Sequence, residues 1–238
     1  MKLTTVFFDL DGTLLLMNED NFIQIYFKEL AKKVIPLGYD KDLFVPSVWQ
    51  GTKAMITNDG TKTNEEAFWE AFSAIHKKDC QKDIPIFDDF YKNEFQAAKA
   101  ICKFDENSKK LVDGAKKLGL RAVLATNPIF PAVATKARMA WAGLEESDFE
   151  YVTTYENSHY AKPNLEYYKE ICKNIGVSPE ECLMVGNNVD EDMITAELGM
   201  KVFLCPEFLI NKSQSNISDV PQGSLADALR YIKVINNA

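Results

Sequence analysis

The sequence is poor in histidine and has no closely paired cysteines, and both scarcities restrict its chemistry. His76 and His159 are the only two histidines in 238 residues, so a histidine-based metal centre is not available. The five cysteines are odd in number and widely spaced, with no Cys-x-x-Cys pair, which favours neither a disulfide framework nor a zinc site. Any resident metal is therefore expected to be a hard cation with oxygen ligands.

Long apolar runs and an excess of positive charge are also missing. No stretch approaches the roughly 20 apolar residues of a membrane-spanning helix, and the first apolar run reaches Asp9 and Asp11 too soon for a signal peptide. The net charge of −8 disfavours binding to nucleic acid or an anionic membrane, because both need a basic surface. We expect a cytoplasmic protein whose partner is a small molecule, and the sequence leaves its oligomeric state open.

Residues 20–103 form a succession of helical patterns without a convincing strand. Apolar and aromatic residues recur there at helical spacing, which is typical of helix packing faces. Pro46 and Gly51 predict that the helix over 42–56 is short or bent. This region is predicted to be an inserted, all-helical domain.

From about residue 104 onward, predicted helices and strands alternate. The predicted strands after the insert are Arg121 to Ala125, Phe149 to Thr153, Cys182 to Val185 and Lys201 to Leu204. Alternation of this kind implies right-handed βαβ units and a parallel sheet covered on both faces. The predicted fold class is α/β, with a Rossmann-like doubly wound sheet in residues 1–16 and 104–238 and a helical cap domain in residues 17–103.

Two carboxylates one residue apart, Asp9 and Asp11, directly follow the first apolar, β-favouring run. Residues two apart in an extended chain face the same side, so both project together if extended geometry continues past Asp9. Like charges so close raise a pKa, which suits a bound cation or a group that must hold a proton. An ordinary acidic turn before Gly12 is the alternative that this stretch alone leaves open.

Three later strand ends also carry polar groups, and the carboxyl ends of parallel strands share one edge of a sheet. Thr126 and Asn127 end one strand, and Pro128 is expected in the first turn of a helix whose free N–H groups favour an anion. Lys162 lies at the start of another helix. The segment 186–192 ends a strand with glycine and opens a helix with acids. Each group alone has a simpler interpretation as a cap, a surface lysine or an acidic first turn.

Taken together, these four places resemble the haloacid dehalogenase-like hydrolase superfamily. The matching segments, in the order of the family's four motifs, are Asp9 to Thr13, Thr126 with Asn127, Lys162, and Gly186 to Asp192. The resemblance covers about residues 1–16 and 104–205. The helical insert lies between the first and second motifs, where family members with a helical cap carry one.

The resemblance implies a role for each matching residue. Asp9 is the nucleophile that attacks a phosphoryl group and becomes an aspartyl phosphate, and Asp11 protonates the leaving alcohol and then deprotonates water. Thr126, Asn127 and Lys162 hold phosphate oxygens, and Lys162 also offsets the carboxylates. Mg²⁺ is bound by Asp9, the main-chain carbonyl of Asp11 and an acid of the fourth motif. Members that cleave carbon–halogen bonds generally lack the second acid, so Asp11 favours phosphoryl transfer.

The fourth motif departs from the family pattern. The family commonly has one aspartate directly after the glycine and another five residues later, whereas this chain has Asn187 first and Asp192 second. An amide oxygen can bind Mg²⁺ but brings no charge, so metal affinity is expected to be reduced. We expect Asp192 to be the main ligand from this motif with Asn187 beside it, and Asp190 and Glu191 are alternatives.

The predicted activity is that of a magnesium-dependent phosphatase for a small phosphorylated metabolite. A phosphomutase that uses the same nucleophile is one alternative. A non-catalytic, regulatory phosphate-binding protein is another, because Asn187 and Asn188 replace possible acids. The sequence does not identify the substrate, since specificity in such proteins depends on the cap.

Overall fold

Five parallel strands form one sheet in the order β3-β2-β1-β4-β5 in the computed structural model, which describes residues 2–236. The strands are β1 (Thr5–Phe8), β2 (Arg121–Leu124), β3 (Tyr151–Val152), β4 (Cys182–Gly186) and β5 (Lys201–Leu204). From the central β1 the chain builds outward through β2 and β3 and then returns to the opposite side. This reversal places a topological switch point beside β1, where open α/β sheets bind ligands.

Helices connect and cover these strands. They are α1 (Glu19–Val34), α2 (Lys41–Ile56), α3 (Asn64–His76), α4 (Ile84–Lys92), α5 (Glu106–Lys117), α6 (Ala132–Trp141), α7 (Leu165–Ile175) and α8 (Leu225–Asn236). Short 3-10 helices lie between several of them. Residues 193–198 form one of these, where an α-helix is predicted from the sequence.

Both faces of the sheet are buried. Val6 and Phe8 of β1 belong to a core cluster that includes residues of α5, α6 and α8, whereas Phe7 packs in a second cluster with Tyr167 and Ile171 of α7. This division follows from the alternation of side chains along a strand. The predicted α/β, doubly wound parallel sheet is confirmed.

The inserted segment consists of α1 to α4 and a 3-10 helix over residues 94–101. The prediction of a short or bent helix over 42–56 is wrong, because α2 runs for 16 residues through Pro46. Asp40 caps its first turn. Gly51 lies against α3 so closely that a Cβ there would be 2.5 Å from the Phe68 ring, so this glycine marks a helix crossing.

The insert leaves and rejoins the sheet region at neighbouring points. The Lys103 N–H donates to the Leu16 carbonyl at 2.8 Å, which ties the two connecting segments together. The predicted boundaries at 16/17 and 103/104 fall at this pair, and the division into two domains stays a prediction. Among the described residues, none of the helices has the length and apolar character needed to cross a lipid bilayer.

Candidate active site

A tight turn after β1 presents the first predicted site residues. The Asp9 N–H still pairs with the Val185 carbonyl of β4 at 2.9 Å, and the chain then folds back so that the Leu15 N–H reaches the Leu10 carbonyl. Gly12 has a φ of +82° in this turn, a left-handed conformation that favours glycine. A Cβ on it would also lie 2.4 Å from Asn187 Nδ2, so the glycine lets the first and fourth motifs meet.

Lys162 joins two carboxylates in the interior. Its Nζ donates to Asp9 Oδ1 at 2.8 Å and to Asp192 Oδ1 at 2.6 Å, and the lysine is 1% exposed. Burial acts to lower the pKa of Lys162, but the charges of Asp192 and Asp9 outweigh it and raise that pKa well above its ordinary value. The structure thus brings together three of the predicted residues, and the simpler interpretation of Lys162 as a surface lysine is wrong.

Asp192 is enclosed on both carboxylate oxygens. Its Oδ2 accepts the Asn188 N–H at 3.0 Å, while Oδ1 accepts from Lys162. Burial raises the pKa of Asp192 to about 7, with Lys162 lowering it and Asp9 raising it further. Asp192 is therefore positioned rigidly at the bottom of the site.

Asn187 faces Asp9 across the Thr13 hydroxyl. Thr13 Oγ1 lies 2.9 Å from Asp9 Oδ2 and 3.0 Å from Asn187 Oδ1, and its single proton can serve only one of these acceptors at a time. Asn187 Nδ2 donates to the Phe208 carbonyl at 2.6 Å, which turns the amide oxygen toward Thr13. One of the two oxygens, Asp9 Oδ2 or Asn187 Oδ1, is therefore always without the Thr13 proton.

The segment after β2 is a loop where the sequence predicts a helix start. Pro128 is not in a first helical turn, because α6 begins at Ala132 and its first N–H is taken by the Glu156 carboxylate at 2.8 Å. The prediction of an anion site at a helix start beginning with Pro128 is therefore wrong. Thr126 is nonetheless buried, and its carbonyl accepts from the hydroxyls of Thr153 and Tyr167.

Asn127 follows in the same loop, and its side-chain oxygen is free to accept a hydrogen bond. Its Nδ2 lies 3.4 Å from Glu191 Oε2, whereas its Oδ1 is buried without a hydrogen-bond partner among the described residues. Burial raises the pKa of Glu191, with Lys162 lowering it and Asp9 raising it. Asn127 and Glu191 thus form one wall of the site.

Arg138 of α6, which was not predicted from the sequence to belong to the site, pairs with Asp11. Its Nη1 donates to Asp11 Oδ2, and the arginine is only 1% exposed. Burial raises the pKa of Asp11, with Arg138 lowering it and the Asp9 charge raising it. An arginine three residues before Trp141, on the apolar side of a predicted helix, is the signal that could have identified it.

Glu19, the first residue of α1, was also not predicted to belong to the site. Burial and then the charges of Asp11, Asp9 and Glu191 raise the pKa of Glu19 to about 7. Burial is the larger cause, and the neighbouring acids add to it. This excess of negative charge favours a bound cation.

Two residues considered from the sequence lie elsewhere. Asp190 accepts the N–H groups of Lys212 and Ser213 in a surface loop, so it faces away from the site. His159 Nδ1 pairs with Glu170 at 2.6 Å. Neither residue contributes to the cluster around Asp9.

The donor set suits a hard cation. In residues 2–236 no three His, Cys, Asp or Glu side chains form a metal-binding group. Asp9 and Asn187, however, direct carboxylate and amide oxygens toward one hydroxyl proton, as described above. Carboxylate, amide and main-chain oxygens are the ligands that Mg²⁺ takes in proteins, so the residues present fit that ion.

A doubly wound sheet with a helical insert and a lysine-bridged carboxylate pair at its switch point defines an α/β enzyme of the capped, Rossmann-like class. The sequence model described as haloacid dehalogenase-like hydrolase matches residues 3–198. The chain belongs to this family, and it is a hydrolase. The predicted resemblance is confirmed.

Individual proteins show the same relationship. Over 95 residues, 40% of this chain and 42% of the relative, the sequence is 35% identical to a putative phosphatase YhcW of Bacillus subtilis. It is 28% identical to the glyceraldehyde 3-phosphate phosphatase of Methanocaldococcus jannaschii over 82% of this chain and 81% of that protein. The crystal structure of a phosphatase of this family from Thermococcus onnurineus matches with a TM-score of 0.59 at 17% identity, covering 97% of this chain and 98% of that one.

Proposed function

We propose that this protein is a magnesium-dependent phosphatase that hydrolyses a small phosphate ester through an aspartyl-phosphate intermediate on Asp9. The observation that carries the proposal is the separation of the two acids of the first motif. Asp9 is paired with Lys162, whereas Asp11 is paired with Arg138. Two neighbouring carboxylates held by different cations can perform two different tasks. The phosphatase names of the relatives support the same activity.

In the first step an Asp9 carboxylate oxygen attacks phosphorus, and the bond between phosphorus and the ester oxygen breaks. Asp11 supplies the proton that the leaving oxygen takes up. In the second step Asp11 takes a proton from water, which attacks phosphorus and releases phosphate from Asp9. Thr126, Asn127 and Lys162 are proposed to hold the phosphate oxygens. Lys162 contacts Asp9, and Thr126 and Asn127 follow β2, the strand paired with β1.

The proposed magnesium ligands are Asp9, the Asp11 carbonyl, Asp192 and Asn187. When bound, the ion offsets the negative charge of both nucleophile and phosphate. Lys162 performs part of this task within the protein, since it offsets Asp9 and Asp192. Asn187 brings no charge, so we expect weak magnesium binding.

The leaving group is proposed to be apolar or aromatic, because an aromatic cavity is connected to Asp11 through Phe130, which lines it and contacts Arg138, the partner of Asp11. A cavity between the insert and the loop after Asn127 is lined mainly by aromatic side chains, including Tyr26, Trp49, Phe130 and Tyr155. Asp88 is the one charged residue among those that line it, so the cavity offers no cation for a second anionic group.

The test is phosphate release from para-nitrophenyl phosphate with Mg²⁺ and with EDTA. We expect turnover that requires Mg²⁺ and that Asp9→Asn reduces by at least about a thousandfold, because the nucleophile is removed. Acid-quenched wild-type enzyme should carry phosphate that hydroxylamine releases, as an acyl phosphate requires.

Asp219→Asn is the matched control, because Asp219 is an exposed aspartate outside the site. It should keep wild-type activity. Full activity of Asp9→Asn would refute the nucleophile assignment. Binding of phosphate without turnover of any ester in a metabolite panel would favour the regulatory alternative.

A further inference from the structure

Arg138 is held in place by contacts at each of its guanidinium nitrogens and by one aromatic ring. Its Nε lies 3.4 Å from the Ala134 carbonyl and its Nη2 donates to Thr135 Oγ1 at 3.2 Å, both within α6. The guanidinium carbon lies 4.5 Å from the centre of the Phe130 ring, a cation–π distance. A planar group fixed in this way presents Nη1 to Asp11 in one orientation.

Asp11 receives this contact on one oxygen only. Arg138 binds Oδ2, whereas Oδ1 is buried and has no hydrogen-bond partner within residues 2–236. A buried carboxylate oxygen without a partner is costly unless another group uses it. The rotation of the carboxylate is set by Arg138, so the free oxygen points in a fixed direction.

We propose that Arg138 is a positioning residue that orients Asp11 so that its unpartnered Oδ1 meets the leaving-group oxygen of the substrate. The inference rests on the proposed phosphatase function. The proton moves from Asp11 Oδ1 to the ester oxygen as the phosphorus–oxygen bond breaks, and Arg138 neither gains nor loses a proton. Holding a catalytic group at the correct angle is a recognised source of rate acceleration.

A purely structural ion pair predicts a different result. A structural role would lower activity toward all substrates to the same extent, through loss of folded protein. A positioning role acts through Asp11 and therefore depends on how much the leaving group needs a proton. An alkyl alkoxide needs protonation, whereas para-nitrophenolate leaves readily without it.

The experiment compares kcat/KM for an alkyl phosphate and para-nitrophenyl phosphate in wild type, Arg138→Met and Asp11→Asn. For Arg138→Met we expect kcat/KM to fall about 10- to 100-fold with the alkyl phosphate, part of the effect of a general acid, and less than about threefold with the aryl phosphate. The ratio kcat/KM reports the first chemical step, so slower attack by water does not mask the difference. In the Asp11→Asn background, Arg138→Met should change neither value by more than about twofold, because the group it positions is absent.

A second variant covers the case in which Arg138→Met does not fold. Thr135→Val keeps the shape of a buried side chain but removes the acceptor of Arg138 Nη2. It should show the same leaving-group pattern with a smaller amplitude. Arg121→Met is the matched control, because Arg121 pairs with Glu150 and lies at the opposite end of the sheet, at the start of β2. Its substrate ratio should equal that of wild type.

The outcomes separate the two proposals. If wild type hydrolyses neither ester, the proposed function fails. If wild type is active but the Arg138 and Thr135 variants lose both activities equally or lose neither, the positioning role is overturned. An effect of Arg138→Met that persists undiminished in the Asp11→Asn background overturns it as well.

Discussion

Two buried cations divide the carboxylates of the site between them. Lys162 binds Asp9 and Asp192, and Arg138 binds Asp11, so three acids are matched by two positive charges. The remaining negative charge adds to burial in raising the pKa of Glu19. A bound cation would offset this negative charge, so the pKa of Glu19 should fall when a cation binds.

At this scale we predict that Glu19→Gln stabilises the metal-free protein at pH 8 but not at pH 4.5. The pKa of Glu19 is raised from 4.5 to about 7 in the folded state. Between these values the folded state holds the proton more tightly than the unfolded state, so its contribution to stability falls as pH rises through this window. Allowing for solvent screening, Glu19→Gln should gain about 1 to 2 kcal/mol at pH 8 in EDTA.

Urea unfolding at the two pH values measures this difference. Addition of Mg²⁺ should shrink it, because the ion offsets the acids that raise the pKa of Glu19. Glu197→Gln, at an exposed glutamate, is the control and should be neutral at both pH values. Equal stabilisation by Glu19→Gln at pH 4.5 and pH 8 would contradict the electrostatic cause.

At the scale of elements, the ends of the strands position the site residues. In the insert, helices cross at close distance. Asp9 follows β1 and Asn187 follows β4, which are adjacent in the sheet, so the two motifs meet although they are 178 positions apart by number. In the insert, α2 and α3 approach closely at Gly51. The crossing positions Phe68, which lines part of the aromatic cavity.

Gly51→Ala tests the crossing directly. In an open helix this change would stabilise by about 1 kcal/mol, because alanine has the higher helix propensity. Here the new Cβ would lie 2.5 Å from the buried Phe68 ring, so we expect a net loss of about 1 to 3 kcal/mol in the free energy of unfolding. Chemical denaturation measures it, and Lys53→Ala on the exposed side of α2 should change stability by less than about 0.5 kcal/mol. A stabilised Gly51→Ala protein would show that the helices do not pack this closely.

At the scale of the whole molecule, Asn64 connects the insert to the two loops that carry Asn127 and Lys162. This fully buried residue at the start of α3 donates from Nδ2 to the carbonyls of Pro128 and Tyr160, each at 3.1 Å. Pro128 follows Asn127, and Tyr160 lies two residues before Lys162. The position of the insert and the shape of the loops are therefore coupled.

We predict that Asn64→Ala lowers the free energy of unfolding by about 2 to 3 kcal/mol, since it leaves two carbonyls without their donor. Hydrogen exchange should also rise in residues 126–130 and 158–162, which lose the side-chain hydrogen bonds of Asn64 but keep the main-chain bond from residue 64 to the Ser158 carbonyl. Asn174→Ala is the control, because Asn174 is exposed and donates to the Tyr151 hydroxyl at the surface. Unchanged exchange in both loops of Asn64→Ala would show that the insert does not restrain them.

Local patterns were sufficient to predict the alternation of strands and helices, the strand ends that precede Asp9 and Asn127, and the loop before a helix that carries Lys162. They failed at α2, where an interior proline was expected to bend or end the helix, and at Pro128, which lies in a loop. In both cases tertiary packing overrode the local preference. Arg138 and Glu19 were missed because their partners lie on distant parts of the chain.

The sequence by itself determined which residues stand at the carboxyl edge of the sheet, because strand periodicity and turn chemistry are local properties. Only the tertiary structure decided which cation pairs with which acid. The Lys162–Asp9 pair spans 153 positions and the Arg138–Asp11 pair spans 127, so both depend on how helices and loops pack around the sheet. The same packing fixes the orientation of the Asn187 amide: its Nδ2 donates to the Phe208 carbonyl, so its Oδ1 faces the Thr13 hydroxyl beside Asp9.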